Sequence, residues 1–157
     1  MDNDINSDRL ICSFSGKYFF LSNFYPVEMD YHGIPYSSSE AAFQAQKTTD
    51  LELRKIFSKL SAAESKRLGR EIHMRPDWEQ IKVEVMADIV HKKFEIPEMR
   101  KYLLSTGDTP LREGNWWGDK IWGTTTIGQG TNYLGKILME ERRQIREGEI
   151  YHYVPIH

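Results

Sequence analysis

Glu40, Gln44 and Lys47 fall at i, i+4 and i+7 in the run Ser37-Ser-Ser-Glu-Ala-Ala-Phe-Gln-Ala-Gln-Lys47. On a helix those positions share one stripe. Ala41, Ala42 and Ala45 flank the stripe, and their small side chains let another group pack close. A carboxylate, an amide and an amine on one face supply the groups needed for proton transfer and nucleophilic attack. The same residues also spell a helix start. With Ser37 as N-cap and Glu40 at the third helical position, the run is a capping box, in which the carboxylate accepts an orphan backbone N–H. The residues alone leave both readings open.

Three other stretches carry candidate chemistry. Gly114-Asn-Trp-Trp-Gly-Asp-Lys-Ile-Trp-Gly123 gathers three tryptophans (Trp116, Trp117, Trp122), three glycines and the carboxylate of Asp119. Aromatic planes with a few polar groups suit a ring-shaped ligand such as a nucleobase; tryptophans also anchor the cores of small domains. Gly128-Gln-Gly130-Thr-Asn132 precedes a predicted helix, whose free N–H groups and dipole suit a phosphate. Its spacing is neither Walker A nor Rossmann, so a simple turn and cap competes with that reading. Lys66, Arg67, Arg70 and Arg75 form the main basic cluster, suited to phosphate or to a solvated helix face. His32, His73, His91, His152 and His157 show no ligand spacing, so no metal is expected. No Gly-x-Ser-x-Gly elbow or Cys/His nucleophile pair is present.

The elements that position these groups must come from a chain of 157 residues, long enough for a core, with an ordinary apolar content of 39%. A formal net charge of −2 provides no global field to attract nucleic acid. Cys12 is the only cysteine, which excludes an intrachain disulfide or a cysteine metal cluster. The first dozen residues lack a signal-peptide pattern, and no apolar run reaches membrane-spanning length, so a cytoplasmic location is expected by elimination.

Residues 1–10 read as a loose leader and 11–157 as one domain. Ile11 to Asn23 is aromatic-rich and predicts a strand. Val27 to Tyr36 predicts a hairpin turning at His32-Gly33. A helix over 38–48 follows, then a short one capped by Asp50. Another helix opens at a Ser61/Glu64 capping box and runs to about His73. The clearest amphipathic helix starts at Asp77 and carries Trp78, Ile81, Val85, Met86, Ile89, Val90 and Phe94 at helical spacing. Pro97 starts a further short helix. Pro110–Glu113 and Lys120–Thr126 predict two short strands, and a last helix carries Leu134, Ile137 and Leu138. The expected class is α+β, dominated by helices, with a small antiparallel sheet.

Taken in order, Phe20-Leu-Ser-Asn-Phe-Tyr-Pro26, Ser39 to Lys47, Leu68-Gly-Arg70 with Arg75-Pro-Asp-Trp78, Glu113 to Gly123, and Gly128 to Met139 resemble the motifs of the NADAR, or YbiA-like, family, especially its compact bacterial and phage-type members. The resemblance covers about Phe14 to Arg143, and the chain departs from the pattern in the β-branched run Trp122-Gly-Thr-Thr-Thr126. It implies a mainly helical α+β N-glycosidase without a cofactor. Two substrate classes follow: ADP-ribose on guanine, in nucleic acid or nucleotide, and phosphoribosylamino-pyrimidine intermediates of riboflavin synthesis. The family's glutamate falls on Glu40, its lysine on Lys47, its tryptophan on Trp78 and its aspartate on Asp119.

Those positions make Glu40, Lys47 and Asp119 the candidate catalytic residues. Phe20, Ser22, Asn23, Gln44, Arg70 and Arg75 are candidate substrate contacts. Trp78, Trp117 and Trp122, with Gly123, Gly128, Gly130 and Asn132, complete that set. In the expected mechanism Lys47 attacks C1 of the sugar to form a Schiff base and Glu40 transfers the proton. Asp119 activates water or binds a ribose hydroxyl, and Trp78 or Trp122 stacks on the base. Seven residues of helix rise roughly 10 Å, so a ligand between Glu40 and Lys47 is part of this reading. A non-catalytic module that binds ADP-ribose or NAD is the alternative of another class.

Overall fold

A computed structural model describes residues 10–115, 117–126 and 128–156. Most of the expected leader, together with Trp116 of the tryptophan loop, lies outside the described residues. Among those described are six α-helices, a 3-10 helix and one two-stranded antiparallel sheet, the expected α+β class. They group into two compact units: Asn23–Ile96, and the described parts of Met1–Ser22 with Pro97–His157.

The unit Asn23–Ile96 begins with the hairpin β1 (Met29–Tyr31) and β2 (Ile34–Tyr36), with Met29 opposite Tyr36 and Tyr31 opposite Ile34. His32 and Gly33 both take positive φ (50° and 83°), as a two-residue I′-type turn requires. Then come α1 (Ser39–Ala45), α2 (Leu51–Phe57), α3 (Ala62–Gly69) and α4 (Trp78–Phe94). Every residue of α1 is buried, and α2, α3, α4 and β2 all pack around it. Its alanines permit that encirclement, because a larger side chain would hold the neighbours off. The Tyr31 hydroxyl donates to Asp88 Oδ2 at 2.7 Å and ties the hairpin to α4. Phe57, Met86, Ile89 and Phe94 are nearly or fully buried, each contributing about 1.5–3 kcal/mol of apolar transfer.

Local signals decided the ends of these helices. Asp50 caps α2 by accepting from the amides of Glu52 and Leu53, and Ser61 and Glu64 form the predicted reciprocal box on α3. At α1 the cap differs from expectation. Ser38, not Ser37, is the N-cap and accepts from the Ala41 amide, while the Ser37 hydroxyl donates to the Leu60 carbonyl. Glu40 therefore sits one position too early for a capping box. The amide of Glu40 donates to the Asn23 carbonyl at 2.9 Å. Asp77 precedes α4 without capping it through its side chain, since both of its oxygens accept from Arg75.

The other unit holds α5 (Pro97–Ser105) and α6 (Tyr133–Glu147), with Met99, Leu103, Leu134, Ile137 and Leu138 in its core. Three predicted strands are absent here. Gly16–Leu21 is a 3-10 helix, placing Phe20 at 5.3 Å from Tyr102 between ring centroids. Pro110–Glu113 and Lys120–Thr126 contribute only the isolated bridges Ile11–Leu111 and Gly114–Thr124. Aromatic and β-branched residues suggested strands, but prolines and glycines break both segments before a ladder can form. The buried Arg142 donates to Thr106 Oγ1 and the Thr109 carbonyl, both at 2.8 Å, and fixes the connection after α5 to α6.

Candidate functional site

The stripe on α1 is built as its spacing suggested at Glu40 and Gln44. Glu40 is 8% exposed, and its Oε2 accepts from Gln44 Nε2 at 2.7 Å across one helical turn. Beyond Ala45 the chain tightens: the amides of Gln46, Lys47 and Thr48 each donate three residues back. That 3-10 closure takes Lys47 out of the regular helix. The side chain turns toward the end of α3, and Nζ donates to the Gly69 carbonyl at 3.3 Å. The carbonyl of Lys47 in turn accepts from the Arg75 amide at 2.7 Å.

Electrostatics joins the two candidate catalytic groups that helical rise alone would separate. Burial pulls the Lys47 pKa below the ordinary lysine value, and the Glu40 carboxylate opposes that pull. Arg70 and Lys82 push the same way as burial, while Glu79 opposes it. A half-buried amine with a lowered pKa is a better nucleophile near neutral pH than an exposed one.

Asn23 and Trp78 belong to this unit as framework. Asn23 Oδ1 accepts from Ser39 Oγ at 2.9 Å and its Nδ2 meets Met86 Sδ at 3.4 Å, so the side chain holds the start of α1 against α4. Trp78 is 4% exposed and lies tilted on Phe43 at 5.0 Å, a wall of the core more than an open stacking plane. Arg75 forms a bidentate pair with Asp77 (2.6 and 3.1 Å), and Arg70 is exposed at the end of α3. An open groove of about 530 Å³ in the same unit is lined by Phe24, Pro26, Ser38 and Leu60 among others, with neither Glu40 nor Lys47 in its wall.

Asp119 and the remaining predicted contacts lie in the other unit. Asp119 Oδ1 accepts from the amides of Ile121 (3.1 Å) and Trp122 (3.0 Å), and Asn115 brackets the Asp119 backbone through its own amide. One carboxylate oxygen thus shapes the loop. Trp117 is 56% exposed, whereas Trp122 is half-buried and meets Tyr133 edge-on at 5.9 Å. Phe20 is buried, and Ser22 closes the 3-10 helix through its backbone amide.

Four of the amides that a phosphate site here would use are committed within the loop. The amides of Thr131, Asn132, Tyr133 and Leu134 donate to the carbonyls of Lys120, Gly123, Ile121 and Trp122 respectively. A side chain at Gly130 would press within 2.6 Å of the Gly123 carbonyl, so this glycine admits the loop to the start of α6. Asn132, left-handed at φ 57°, accepts from the Glu113 amide at 3.1 Å and donates to the Leu111 carbonyl at 3.0 Å. Gly128 sits beside the Arg112 guanidinium.

Comparison with known proteins resolves the family. The NADAR domain profile matches residues 13–146. The chain belongs to the NADAR domain family. The N-glycosidase YbiA of Escherichia coli is 38% identical over 142 residues, covering 85% of each chain. The NMR structure of that E. coli protein superposes with a TM-score of 0.78 at 34% identity, covering 93% of this chain and 92% of the other. A riboflavin biosynthesis protein of Vibrio vulnificus is 42% identical over 139 residues, but this NADAR chain spans only 38% of its length. The N-glycosidase relatives make the chain a hydrolase acting on N-glycosyl bonds. No described helix is long and apolar enough to cross a membrane.

Residue patterns did not single out Gly69 or Lys82 as neighbours of Lys47. Lys82 was legible in principle, since it lies one turn beyond Trp78 on α4 and so shares its face. Gly69 carried a weaker signal: a glycine closing a helix without taking a left-handed conformation.

Proposed function

We propose that this NADAR protein hydrolyses the N-glycosidic bond between ribose and a base, releasing ADP-ribose from ADP-ribosylated guanine. The observation that carries the chemistry is the pairing of a buried, amide-held Glu40 with a half-buried Lys47 whose pKa burial lowers. Glu40 takes a proton from the lysine ammonium. The freed lone pair forms a bond to C1 of the ribose, and the C1–base bond breaks with its electrons going to the base. The base leaves with the proton held by Glu40. Opening of the ribose ring moves a proton from the adduct nitrogen to the ring oxygen and leaves a protonated imine, and water adds at C1 to return the lysine ammonium and the sugar.

A second reading keeps the same bond and changes the substrate to a phosphoribosylamino-pyrimidine. The riboflavin-biosynthesis relative supports it. Incubation with DNA carrying ADP-ribosyl-guanine and, separately, with the pyrimidine intermediate, followed by mass spectrometry of released product, decides between them. Release from the modified DNA alone supports the first reading; release from the metabolite alone supports the second. Lys47→Ala and Glu40→Gln should each lower turnover by about two to four orders of magnitude. Intact turnover in Lys47→Ala with loss in Glu40→Gln rejects the imine and leaves a carboxylate mechanism. A folded wild type that binds ADP-ribose and releases no base from either substrate rejects both readings in favour of a binding module.

A further inference from the structure

Gly69 meets Lys47 directly and Glu40 through Gln44, without contributing a side chain. On one side, a Cβ at this position would overlap Gln44 Oε1 and lie 2.7 Å from Gln44 Cδ, so the bare Cα is the seat of the Gln44 amide. That amide holds Glu40 Oε2 through Nε2. On the other side, the Gly69 carbonyl accepts from Lys47 Nζ at 3.3 Å.

Gln44 is an expensive way to fill this space. Its Oε1 is buried with no hydrogen-bond partner among the described residues. An orphaned buried acceptor costs about 1–3 kcal/mol, and methionine would fill a similar volume without it. Flipping the amide offers no escape, because it would turn the oxygen toward the Glu40 carboxylate. What the amide supplies in return is a donor aimed at Glu40.

We propose that Gln44 and Gly69 are positioning residues: the bare Cα of Gly69 seats the Gln44 amide that orients Glu40, while the Gly69 carbonyl sets where Lys47 lies relative to it. The proposal rests on the roles given to Glu40 and Lys47 above. It moves Gln44 from the substrate surface to the back of the carboxylate, and it gives the Leu68-Gly-Arg70 motif a physical reason for its glycine.

Four variants test it: Gly69→Ala, Gln44→Met, Gln44→Ala and the double Gln44→Ala/Gly69→Ala. Misplacing a catalytic group by about 1 Å commonly costs a hundredfold in rate, so Gly69→Ala and Gln44→Met should lower kcat by about that factor, with KM little changed. In the double variant the clash is gone, because the new Cβ stands 3.4 Å from Cβ of residue 44. Its kcat should equal that of Gln44→Ala alone.

The readout independent of turnover is the Glu40 carboxyl titration, followed by 13C NMR. Loss of a donor to the ionised form raises a carboxyl pKa, so the midpoint should rise in Gly69→Ala and in Gln44→Met. Lys47 beyond α1, Arg70 at the end of α3, and Glu79 and Lys82 on α4 are coupled charged groups in this unit and are the same in every variant. A folded Gly69→Ala with wild-type kcat and wild-type Glu40 midpoint overturns the proposal, as do costs that multiply in the double variant. If Glu40→Gln leaves turnover intact, the catalytic role of Glu40 fails, and the carboxyl midpoint still decides whether Gly69 orients it.

Discussion

Asn132 distinguishes a framework residue from a ligand contact, and its replacement has a calculable cost. Its side chain accepts from the Glu113 amide and donates to the Leu111 carbonyl, in a partly buried setting. Each such bond contributes about 1 kcal/mol net. Its backbone is left-handed, at φ 57° and ψ 42°, which costs a residue such as alanine about 1 kcal/mol that glycine avoids. Asn132→Ala should therefore lose about 3 kcal/mol, and Asn132→Gly about 2. For a chain of this size each kcal/mol moves Tm by about 2–4 °C. Urea unfolding of the wild type and both variants, without any ligand, measures the difference. A loss below about 0.5 kcal/mol in both variants would refute the bracing of the 111–113 segment. Equal losses in alanine and glycine would refute the left-handed contribution.

Other consequences are equally specific. Because the proton delivered to the base comes from the Lys47 ammonium, whose pKa is lowered by burial and further by Arg70 and Lys82, kcat should fall as pH rises through a midpoint below 10.5. Arg70→Met and Lys82→Met should each move that fall to higher pH, as read from pH–rate profiles. The same shift has a sign in stability: with the folded pKa below the unfolded one, charged Lys47 costs stability at neutral pH, and the cost fades as pH climbs from the folded pKa to about 10.5. Lys47→Met should thus melt above the wild type at pH 7, by a margin that shrinks toward pH 10. The hydrogen bond from the Ser61 backbone amide holds the Glu64 carboxyl below its usual value, so the cap on α3 stabilises at neutral pH and is lost as pH falls through that lowered value. Glu64→Ala should lower Tm at pH 7 without changing kcat, and the difference from wild type should narrow in acid. Arg142→Met removes the donor to the part-buried Thr109 carbonyl and to the buried Thr106 Oγ1, which keeps its bond to the Leu103 carbonyl, and should cost about 2 kcal/mol by urea unfolding.

Where short-range rules govern, the chain was readable in advance. His32-Gly33 could only turn one way, Asp50 and Ser61 offered oxygens to waiting amides, and the period of Trp78 to Phe94 admitted nothing but a helix. Legibility failed where partners are distant in sequence. Ser37 and Ser38 are equally good caps by type, and the choice between them depends on Leu60, which accepts from one, and Asn23, which receives the Glu40 amide. The aromatic run through Phe20 looked extended, because aromatic residues favour strands wherever a neighbouring strand exists; none pairs with it among the described residues. At the candidate site, Glu40 and Lys47 were visible as residue types. Their electrostatic coupling was not, since it depends on the tightened turn after Ala45 and on charges that α3 and α4 bring up.

The start of α6 has a consequence for how this sequence can change length. Four consecutive amides, Thr131 to Leu134, are matched to four consecutive carbonyls, Lys120 to Gly123. A residue inserted inside either tetrad would put every later partner out of step, and a deletion would do the same. Insertions and deletions between homologous chains should therefore be excluded from both tetrads and collect outside them, such as at the exposed Trp117-Gly118 tip. The Gly-x-Gly-x-Asn motif is thus a length gauge: it fixes how many residues separate the tryptophan loop from the helix it crowns.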